Sequence, residues 1–166
     1  MIKEGIMIRI VTPPDALAIA EIYNFYILNT IITFEMEVVT PEEIDARIEK
    51  YLKIGPYLVY EENDEVLGYA YLSNFRERKA YENTVESTIY LKNGLGGKGL
   101  GFQLYSELFS QAASKYHTFV AGISLPNEGS IRLHEKCGFK KVGHFAEVGR
   151  KFDQWIDVGF WQKNGG

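Results

Sequence analysis

The chain of 166 residues contains one cysteine, Cys137, and only three histidines. A single thiol cannot form a disulfide within the chain, which favours a reducing compartment. The histidines and the cysteine lack the spacing of metal ligands, so we expect no metal site. No apolar run approaches the roughly 18–20 residues of a membrane span, and Met1 to Met7 lack the apolar core of a signal peptide. These absences predict a cytoplasmic protein with no membrane partner.

The chain also has little net charge. Its 18 lysines and arginines against 22 aspartates and glutamates give a net charge of −4. Proteins that bind nucleic acid by neutralising phosphates are normally basic, so we expect no nucleic-acid partner. The apolar fraction of 46% argues against disorder, and the length is typical of a single domain, here residues 1–166. The aromatic fraction of 14% is enough for a large core and for a wall that faces a ligand.

Apolar periodicity predicts elements in the order β-α-α-β-β-β-α-β-α-β-β. Thr12-Pro13 and Thr40-Pro41 mark two helix starts, and each is followed by an acidic residue in the first turn. A third helix is predicted after residue 101 and a fourth over residues 130–137. The strands are predicted at residues 6–11, 57–60, 66–72, 84–91, 118–123, 141–147 and 155–162. Hairpins combined with two crossover helices indicate an α+β fold: a mixed, mostly antiparallel central sheet with helices on both faces.

The strongest chemical signal is a glycine-rich segment, residues 94–101, between a predicted strand and a predicted helix. Five of its eight residues are glycine. Glycines allow backbone N–H groups to converge, and a helix N-terminus adds partial positive charge. Together they form a cradle for a phosphate group. The alternative is a flexible turn from strand to helix.

Three kinds of phosphate-containing ligand bind loops of this type, and the sequence excludes two of them. Gly94, Gly96 and Gly99 match the dinucleotide pattern G-x-G-x-x-G, but no acidic residue follows at the required distance. A mononucleotide loop needs Ser or Thr after the lysine, whereas Lys98 is followed by Gly99. The third ligand is acetyl-coenzyme A, since Gly99-Leu100-Gly101 resembles the second half of the loop Q/R-x-x-G-x-G/A of the GNAT acetyltransferases.

Further segments resemble one branch of that superfamily, the phosphinothricin/methionine sulfoximine N-acetyltransferases. They are residues 21–24, Thr33-Phe34-Glu35, and residues 84–90, 130–136 and 155–162, so the resemblance covers nearly the whole chain. One position departs from the family. The Arg or Gln that begins the family's loop is Gly96 here, so its side-chain contribution to pyrophosphate binding is absent. The backbone N–H groups remain, and Lys98 can add charge.

The resemblance implies direct transfer of the acetyl group of the cosubstrate acetyl-CoA to the α-amino group of a small amino-acid-like substrate. Phosphinothricin, methionine sulfoximine and methionine sulfone are the acceptors it implies. Two alternatives stay open: another acceptor amine (a protein N-terminus, a polyamine or an aminoglycoside) and a non-catalytic acyl-CoA sensor. The basic run at residues 76–79 argues against a polycationic acceptor, and Glu86 with His134 argues against a sensor.

Glu86 and His134 are the candidate catalytic residues. A carboxylate in the β-branched strand of residues 84–91 is costly to bury, and burial raises its pKa, as suits a general base. The resemblance assigns Glu86 that role and makes His134 a second proton-transfer group. The alternatives are a structural hydrogen-bond acceptor and a helix histidine with a local hydrogen bond. Cys137 is expected to pack in the fourth helix, because it has no obvious activating base.

The resemblance also assigns residues to the two substrates. Arginine binds carboxylates bidentately, which suits Arg76 and Arg78 to an α-carboxylate. For Asn127 the alternative is a turn residue, and for Phe34 and Tyr90 it is a place in the core. The expected substrate-binding residues are Phe34, Arg76, Arg78, Tyr81, Glu86 and Tyr90. The expected acetyl-CoA residues are Ile89, Tyr90, Leu91, Gly96, Gly97, Lys98, Gly99, Leu100, Gly101, Asn127 and Ser130.

The closing segment contains both tryptophans, Trp155 and Trp161. Large aromatic residues are enriched in interfaces, and a terminal edge strand offers a pairing surface. The family resemblance likewise implies a two-fold dimer. We therefore expect a homodimer joined partly through this region. The alternative is that both rings pack inside one subunit.

Overall fold

The computed structural model describes residues 5–165. Within that range the chain forms seven strands and four helices in the predicted order. The strands are β1 (Ile6–Ile10), β2 (Tyr57–Glu62), β3 (Glu65–Asn74), β4 (Thr84–Leu91), β5 (Thr118–Ser124), β6 (Lys140–Lys151) and β7 (Gln154–Asn164). The helices are α1 (Ala16–Asn29), α2 (Pro41–Leu52), α3 (Leu100–Ala112) and α4 (Glu128–Lys136). Two predictions depend partly on residues 1–4 and 166, which lie outside the described residues. They are the domain span 1–166 and the absence of a signal peptide. The single domain stays a prediction.

All seven strands form one sheet in the order β1-β2-β3-β4-β5-β7-β6. Neighbouring strands are antiparallel except for β4 and β5, which are parallel. On one face, Leu104 and Leu108 of α3 pack against Val85 of β4, and α4 adds partly buried side chains. On the other face, Ile19 of α1 and Ile44 of α2 join the core. The predicted mixed, mostly antiparallel sheet with helices on both faces is confirmed.

Several boundaries differ from the predicted ones for local reasons. The first helix begins at Ala16, because Pro13–Asp15 forms a 3-10 turn in which the Asp15 carboxylate accepts from the Thr12 N–H at 2.7 Å. Helix α2 begins where predicted, and its start is a capping box. Glu43 N–H donates to the Thr40 hydroxyl at 3.1 Å, and Thr40 N–H donates to the Glu43 carboxylate at 2.7 Å.

The two hairpins are longer than the sequence pattern predicts. Between β2 and β3 only Asn63 and Asp64 form the turn, both in the left-handed region with φ of 51° and 64°. Asn and Asp tolerate that conformation, so the strands continue through the charged residues on either side. Strand β6 continues to Lys151, past an irregularity between Phe145 and Gly149 that shifts its register against β7.

The feature that creates the site is the separation of β4 from β5. These parallel strands pair only from Thr84 with Thr118 to Glu86 with Val120. Beyond Glu86, β4 stays paired with β3 as far as Leu91, but no strand within residues 5–165 pairs with it on its other side. The backbone groups on that side are therefore available to a ligand.

No helix within residues 5–165 is long and apolar enough to cross a membrane. The cytoplasmic location stays a prediction.

Candidate active site

A cavity of about 390 Å³ opens where β4 and β5 separate. Ten of the eleven residues expected at acetyl-CoA line it: Ile89, Tyr90, Leu91, Gly96, Gly97, Gly99, Leu100, Gly101, Asn127 and Ser130. The eleventh, Lys98, is an exposed loop residue outside the cavity wall. The structure thus brings together the end of β4, the glycine loop and the first turns of α3 and α4.

The glycine loop has the backbone geometry of an anion site. Gly94, Gly97 and Gly99 have φ values of 87°, 77° and 86°, in the region that favours glycine, and Gly99 is the N-cap of α3. Among residues 5–165, no backbone acceptor pairs with the N–H groups of Gly96 to Gly99. The first N–H groups of α3 are also free of intrahelical partners. A pyrophosphate fits this donor set, because it needs several convergent N–H groups at a helix N-terminus.

Gly101 has a second reason to be glycine. A Cβ at this position would lie 3.0 Å from Cδ2 of Leu133, so the small residue lets α3 approach α4. Helix α4 in turn is capped by Asn127, whose Oδ1 accepts the Ser130 N–H at 3.2 Å. The two helix N-termini therefore face the same cavity, and the side-chain N–H₂ of Asn127 is left to donate to a ligand.

Glu86 lies where the paired part of β4 ends. It is half-buried, and burial raises the pKa of its carboxyl group. Its Oε1 lies 3.6 Å from the place that a Cβ would take on Gly122 of β5. Glu86 is not part of the cavity wall; it lies on the same strand, three residues before Ile89, which is part of it.

His134 lies away from the cavity, on the inner side of α4. It is 3% exposed and packs edge-on against Tyr105 and Phe139. Its Nδ1 lies 2.7 Å from the carbonyl oxygen of Ser130, and its Nε2 lies 3.2 Å from the hydroxyl of Tyr105. Burial lowers the pKa of this imidazole. The proton-transfer role of His134 stays a prediction, since both of its nitrogens already have partners within the fold.

The predicted carboxylate-binding residues lie in the connection between β3 and β4. Arg76 and Arg78 are exposed, and the Arg76 guanidinium stacks 5.0 Å from the Phe75 ring centre and 5.6 Å from that of Tyr81. They do not line the cofactor cavity. Because Ser73 pairs with Glu86, this connection leaves the sheet beside Glu86, on the side away from the glycine loop.

Phe34 lies on the connection between α1 and α2, which is anchored from two sides. Phe34 is 40% exposed, and its ring packs on Gly149 of β6, where a Cβ would clash at 2.3 Å. The buried ammonium of Lys151 donates to the carbonyl of Thr33 at 2.8 Å. On the opposite side the Arg47 guanidinium binds both carboxylate oxygens of Glu35, at 2.6 and 2.9 Å, and holds its pKa low.

Tyr90 belongs both to the cavity wall and to an aromatic cluster. Its ring centre lies 5.0 Å from that of Tyr23 and 5.2 Å from that of Tyr26, and burial raises its pKa to about 12. The two alternatives weighed for Tyr90, core and ligand wall, therefore coexist at one residue.

Eight cavity residues were not expected from the sequence: Tyr26, Ile32, Leu95, Phe102, Gly129, Arg132, Leu133 and Lys136. The members from α4 recur at helical spacing, one face of that helix, and this periodicity was available in the sequence. Tyr26 lies in α1 and Ile32 in the connection that follows it, both distant from β4 in sequence, and only the fold brings them to that strand. The hydroxyl of Tyr26 donates to the carbonyl of Leu91 at the cavity.

Comparison with known proteins shows that the chain is similar to N-acetyltransferases that use acetyl-CoA. The acetyltransferase (GNAT) domain family matches residues 8–159. A phosphinothricin N-acetyltransferase of Streptomyces coelicolor is 42% identical over 154 residues, which are 90% of each chain. An L-methionine sulfoximine/L-methionine sulfone acetyltransferase of Salmonella typhimurium is 38% identical over 93% of this chain and 92% of that protein. The structure of a phosphinothricin acetyltransferase from Sinorhizobium meliloti, solved in complex with acetyl-CoA, superimposes with a TM-score of 0.92 at 34% identity, covering 98% and 89% of the two chains.

The glycine loop at the start of α3 and the parted strands thus occur in a chain that matches the domain family over most of its length. The resemblance inferred from the motifs is confirmed: the chain belongs to the GNAT acetyltransferase family.

Proposed function

We propose that this protein transfers the acetyl group of acetyl-CoA directly to the amino group of a small amino-acid-like substrate. Phosphinothricin, methionine sulfoximine and methionine sulfone represent the substrate class. The observation that carries the proposal is the glycine loop with unpaired N–H groups, which opens into the cavity lined by the end of β4 and by α3 and α4. The similarity to N-acetyltransferases named for those substrates supports the acceptor class.

The donor side of the reaction follows from the cavity. The N–H groups of Gly96 to Gly99 and of the first turn of α3 take the pyrophosphate, and Asn127 donates to the pantetheine arm. The unpaired edge of β4 beyond Glu86 offers N–H and C=O groups to the pantetheine amides. One such N–H group near the thioester can stabilise the negative charge that develops on its oxygen.

The acceptor side of the reaction depends on Glu86. An ammonium group has no lone pair, so it must lose a proton before it can attack the thioester carbon. The raised pKa of Glu86 brings this base closer to neutral pH, where it can accept that proton, directly or through one water. The amine nitrogen then forms the amide bond while the bond between carbon and sulfur breaks. Holding amine and thioester side by side supplies several kcal/mol of barrier reduction, as an order of magnitude.

The connection between β3 and β4 and the connection between α1 and α2 would bind the amino acid. In this proposal Arg76 and Arg78 bind the α-carboxylate with Tyr81 beside them. Phe34 and Tyr90 supply apolar contacts. Two sets of groups then meet at Glu86 from opposite directions, acetyl-CoA from the glycine loop and the amino acid from the basic connection.

A mass-spectrometric assay tests this function. The protein is incubated with acetyl-CoA and a panel containing phosphinothricin, methionine sulfoximine, methionine sulfone, the free amino acids, spermidine and an aminoglycoside. We expect N-acetylation of the amino-acid-like compounds and not of spermidine or the aminoglycoside. We also expect thermal stabilisation by acetyl-CoA but not by NAD or ATP. Acetylation of the polyamine or aminoglycoside alone would contradict the acceptor class. Stabilisation by acetyl-CoA without any acetylated product would favour the non-catalytic sensor.

We also infer that the protein is a homodimer through its C-terminal hairpin. Strand β6 is an edge of the sheet, and the hairpin exposes large apolar side chains: Val142, Phe145, Val148, Phe152 and Trp155. Trp161, by contrast, is 2% exposed and belongs to the core, so only one tryptophan is free for an interface. A second copy suits an apolar edge strand, because a two-fold axis lets the same strand cover itself.

A further inference from the structure

The charged residues in the wall of the cofactor cavity are both cations. They are Arg132 and Lys136, one turn apart on α4, and the other wall residues are uncharged. The chain as a whole carries a net charge of −4. A purely positive wall in an acidic protein indicates that the ligand there is anionic.

Both cations are free to bind such a ligand. Among the ion pairs within residues 5–165, none involves Arg132 or Lys136. The neighbouring acid on α4, Glu135, accepts the indole N–H of Trp161 at 3.4 Å instead. The Lys136 ammonium lies 4.4 Å above the ring of Phe102 in the first turn of α3, which holds it at the cavity rim.

The position of the two cations along the cavity identifies the part of the ligand they meet. Asn127 stands at the start of α4 beside the end of β4, where the pantetheine arm lies in the proposed function. Lys136 ends α4, roughly 14 Å further along at 1.5 Å per residue. Phe102, beneath Lys136, follows the glycine loop that takes the pyrophosphate. The next anionic group along coenzyme A beyond its pyrophosphate is the 3′-phosphate of the adenosine.

We propose that Arg132 and Lys136 bind the 3′-phosphate of coenzyme A and so select the complete cofactor over its dephosphorylated form. The inference rests on the proposed use of acetyl-CoA. The phosphate accepts hydrogen bonds from the guanidinium and the ammonium, and charge-assisted contacts of this kind are the strong ones.

Isothermal titration with coenzyme A and with 3′-dephospho-coenzyme A tests this assignment in the full-length protein. The variants are Arg132→Gln, Lys136→Gln and the double variant. Lys53→Gln, at the exposed end of α2, is the control for a general loss of charge. We expect each single variant to weaken coenzyme A roughly threefold to tenfold and to leave dephospho-coenzyme A within twofold of the wild type. The double variant should bind the two ligands with nearly equal affinity, and Lys53→Gln should behave as the wild type.

The other outcomes are equally informative. An equal loss for both ligands would place the two cations at the pyrophosphate and overturn the 3′-phosphate assignment. Unchanged discrimination in the double variant would overturn it as well, and a parallel Lys98→Gln variant would then show whether the loop lysine discriminates. A wild-type protein that binds neither ligand would instead contradict the proposed function itself. Circular dichroism melts of all variants verify that each one is folded.

Discussion

Glu86 and Val120 form the last pair between the parallel strands β4 and β5. The general base proposed here therefore stands at the point where the sheet opens for acetyl-CoA. Two residues beyond Val120, Gly122 lies beside the carboxylate: a Cβ on it would be in ordinary contact with Oε1, at 3.6 Å. One strand thus carries the base, and the departure of its neighbour provides the opening.

Replacing Glu86 tests its role as the base. Glu86→Gln should lower kcat by roughly 10²–10⁴-fold at neutral pH and leave the Kd for acetyl-CoA unchanged, since the cavity wall does not include this residue. The loss should shrink as pH rises, because more of the substrate amine is then free of its proton. Steady-state kinetics from pH 6 to 9.5 measure this. The exposed Glu49→Gln on α2 is the matched control, and a wild-type profile in Glu86→Gln would exclude Glu86 as the base.

The same variant, Glu86→Gln, should be more stable than the wild type at neutral pH, although it is less active. The folded-state pKa of Glu86 lies above its ordinary value of 4.5, so the folded protein holds this proton more tightly than the unfolded chain does. The carboxylate therefore costs the wild type stability as pH rises from 4.5 through the folded-state pKa. Glu86→Gln avoids that cost. Thermal melts should find the variant more stable than the wild type at pH 7, with the difference disappearing below pH 4.5.

Gly96 offers a gain of affinity. Its φ is outside the left-handed region, and nothing lies within 4 Å of a Cβ placed on it. Gly96→Arg introduces a residue that the family resemblance leads us to expect there, so acetyl-CoA should bind roughly threefold to tenfold more tightly with the fold unchanged. Gly96→Ala separates the effect of the guanidinium from that of the backbone. Titration of all three proteins with acetyl-CoA gives the answer, and an unchanged Kd in Gly96→Arg would show that the pyrophosphate lies elsewhere.

Gly99 should respond in the opposite way. Its φ of 86° is strained for any residue with a Cβ, by about 1–2 kcal/mol, and the position is the N-cap of α3. Gly99→Val should therefore weaken the binding of acetyl-CoA. The weakening should be larger than the loss of folding stability alone would cause. Equal affinity in a folded Gly99→Val protein would separate the loop from cofactor binding.

Lys151 should act on the amino acid through Phe34. Lys151→Met removes the bond to the Thr33 carbonyl and frees one side of the connection that carries Phe34. We expect KM for the amino-acid substrate to rise by about tenfold and KM for acetyl-CoA to stay constant, since small misplacements of a positioning residue are costly. Lys140→Met, exposed on the same strand, is the control. An equal rise in both KM values would indicate a general loss of structure.

One variant can distinguish the two roles considered for His134, proton transfer and structural hydrogen bonding. His134→Phe keeps the aromatic packing between Tyr105 and Phe139 but removes the hydrogen bonds to Ser130 and Tyr105. A structural role predicts a loss of about 1–3 kcal/mol in the free energy of unfolding and an unchanged pH dependence of kcat. The pH profile and a denaturant titration decide the matter. Loss of one limb of the profile in a stable variant would assign proton transfer to His134.

The sequence predicts the element order and the glycine loop because both depend on local signals. Helix caps, alternating strands and a strand-loop-helix pattern are short-range, and the residues around the loop reach the cavity by being neighbours in sequence. The α4 face with Arg132 and Lys136 had the right periodicity, but nothing local says which neighbour a helix face meets. Tyr26 and Ile32 reach β4 only through the packing of α1 against the sheet.

The two tryptophans show the same limit in one segment. Trp155 and Trp161 both lie on β7, yet one is 60% exposed and the other 2%. Their separation of six residues would place them on the same face of a regular strand, and both look alike to a composition argument. The difference comes from the tip of the hairpin, where Trp155 lies beyond the register shift, whereas Trp161 packs in the core and donates to Glu135 of α4.

The exposed Trp155 gives the test of assembly. Trp155→Glu puts a charge among the exposed apolar residues of the hairpin, which a second copy would have to desolvate. We expect sedimentation of the wild type at micromolar concentration to give twice the subunit mass of 18.9 kDa, and of Trp155→Glu to give the subunit mass. Leu17→Glu, an equally exposed apolar position on α1, should remain a dimer.

If the monomeric variant also loses affinity for the amino acid while keeping that for acetyl-CoA, the interface supports the Phe34 side of the pocket, because Phe34 packs on Gly149 of the same hairpin. A wild-type monomer with full activity would contradict the dimer, and a Trp155→Glu dimer would place the interface on another surface.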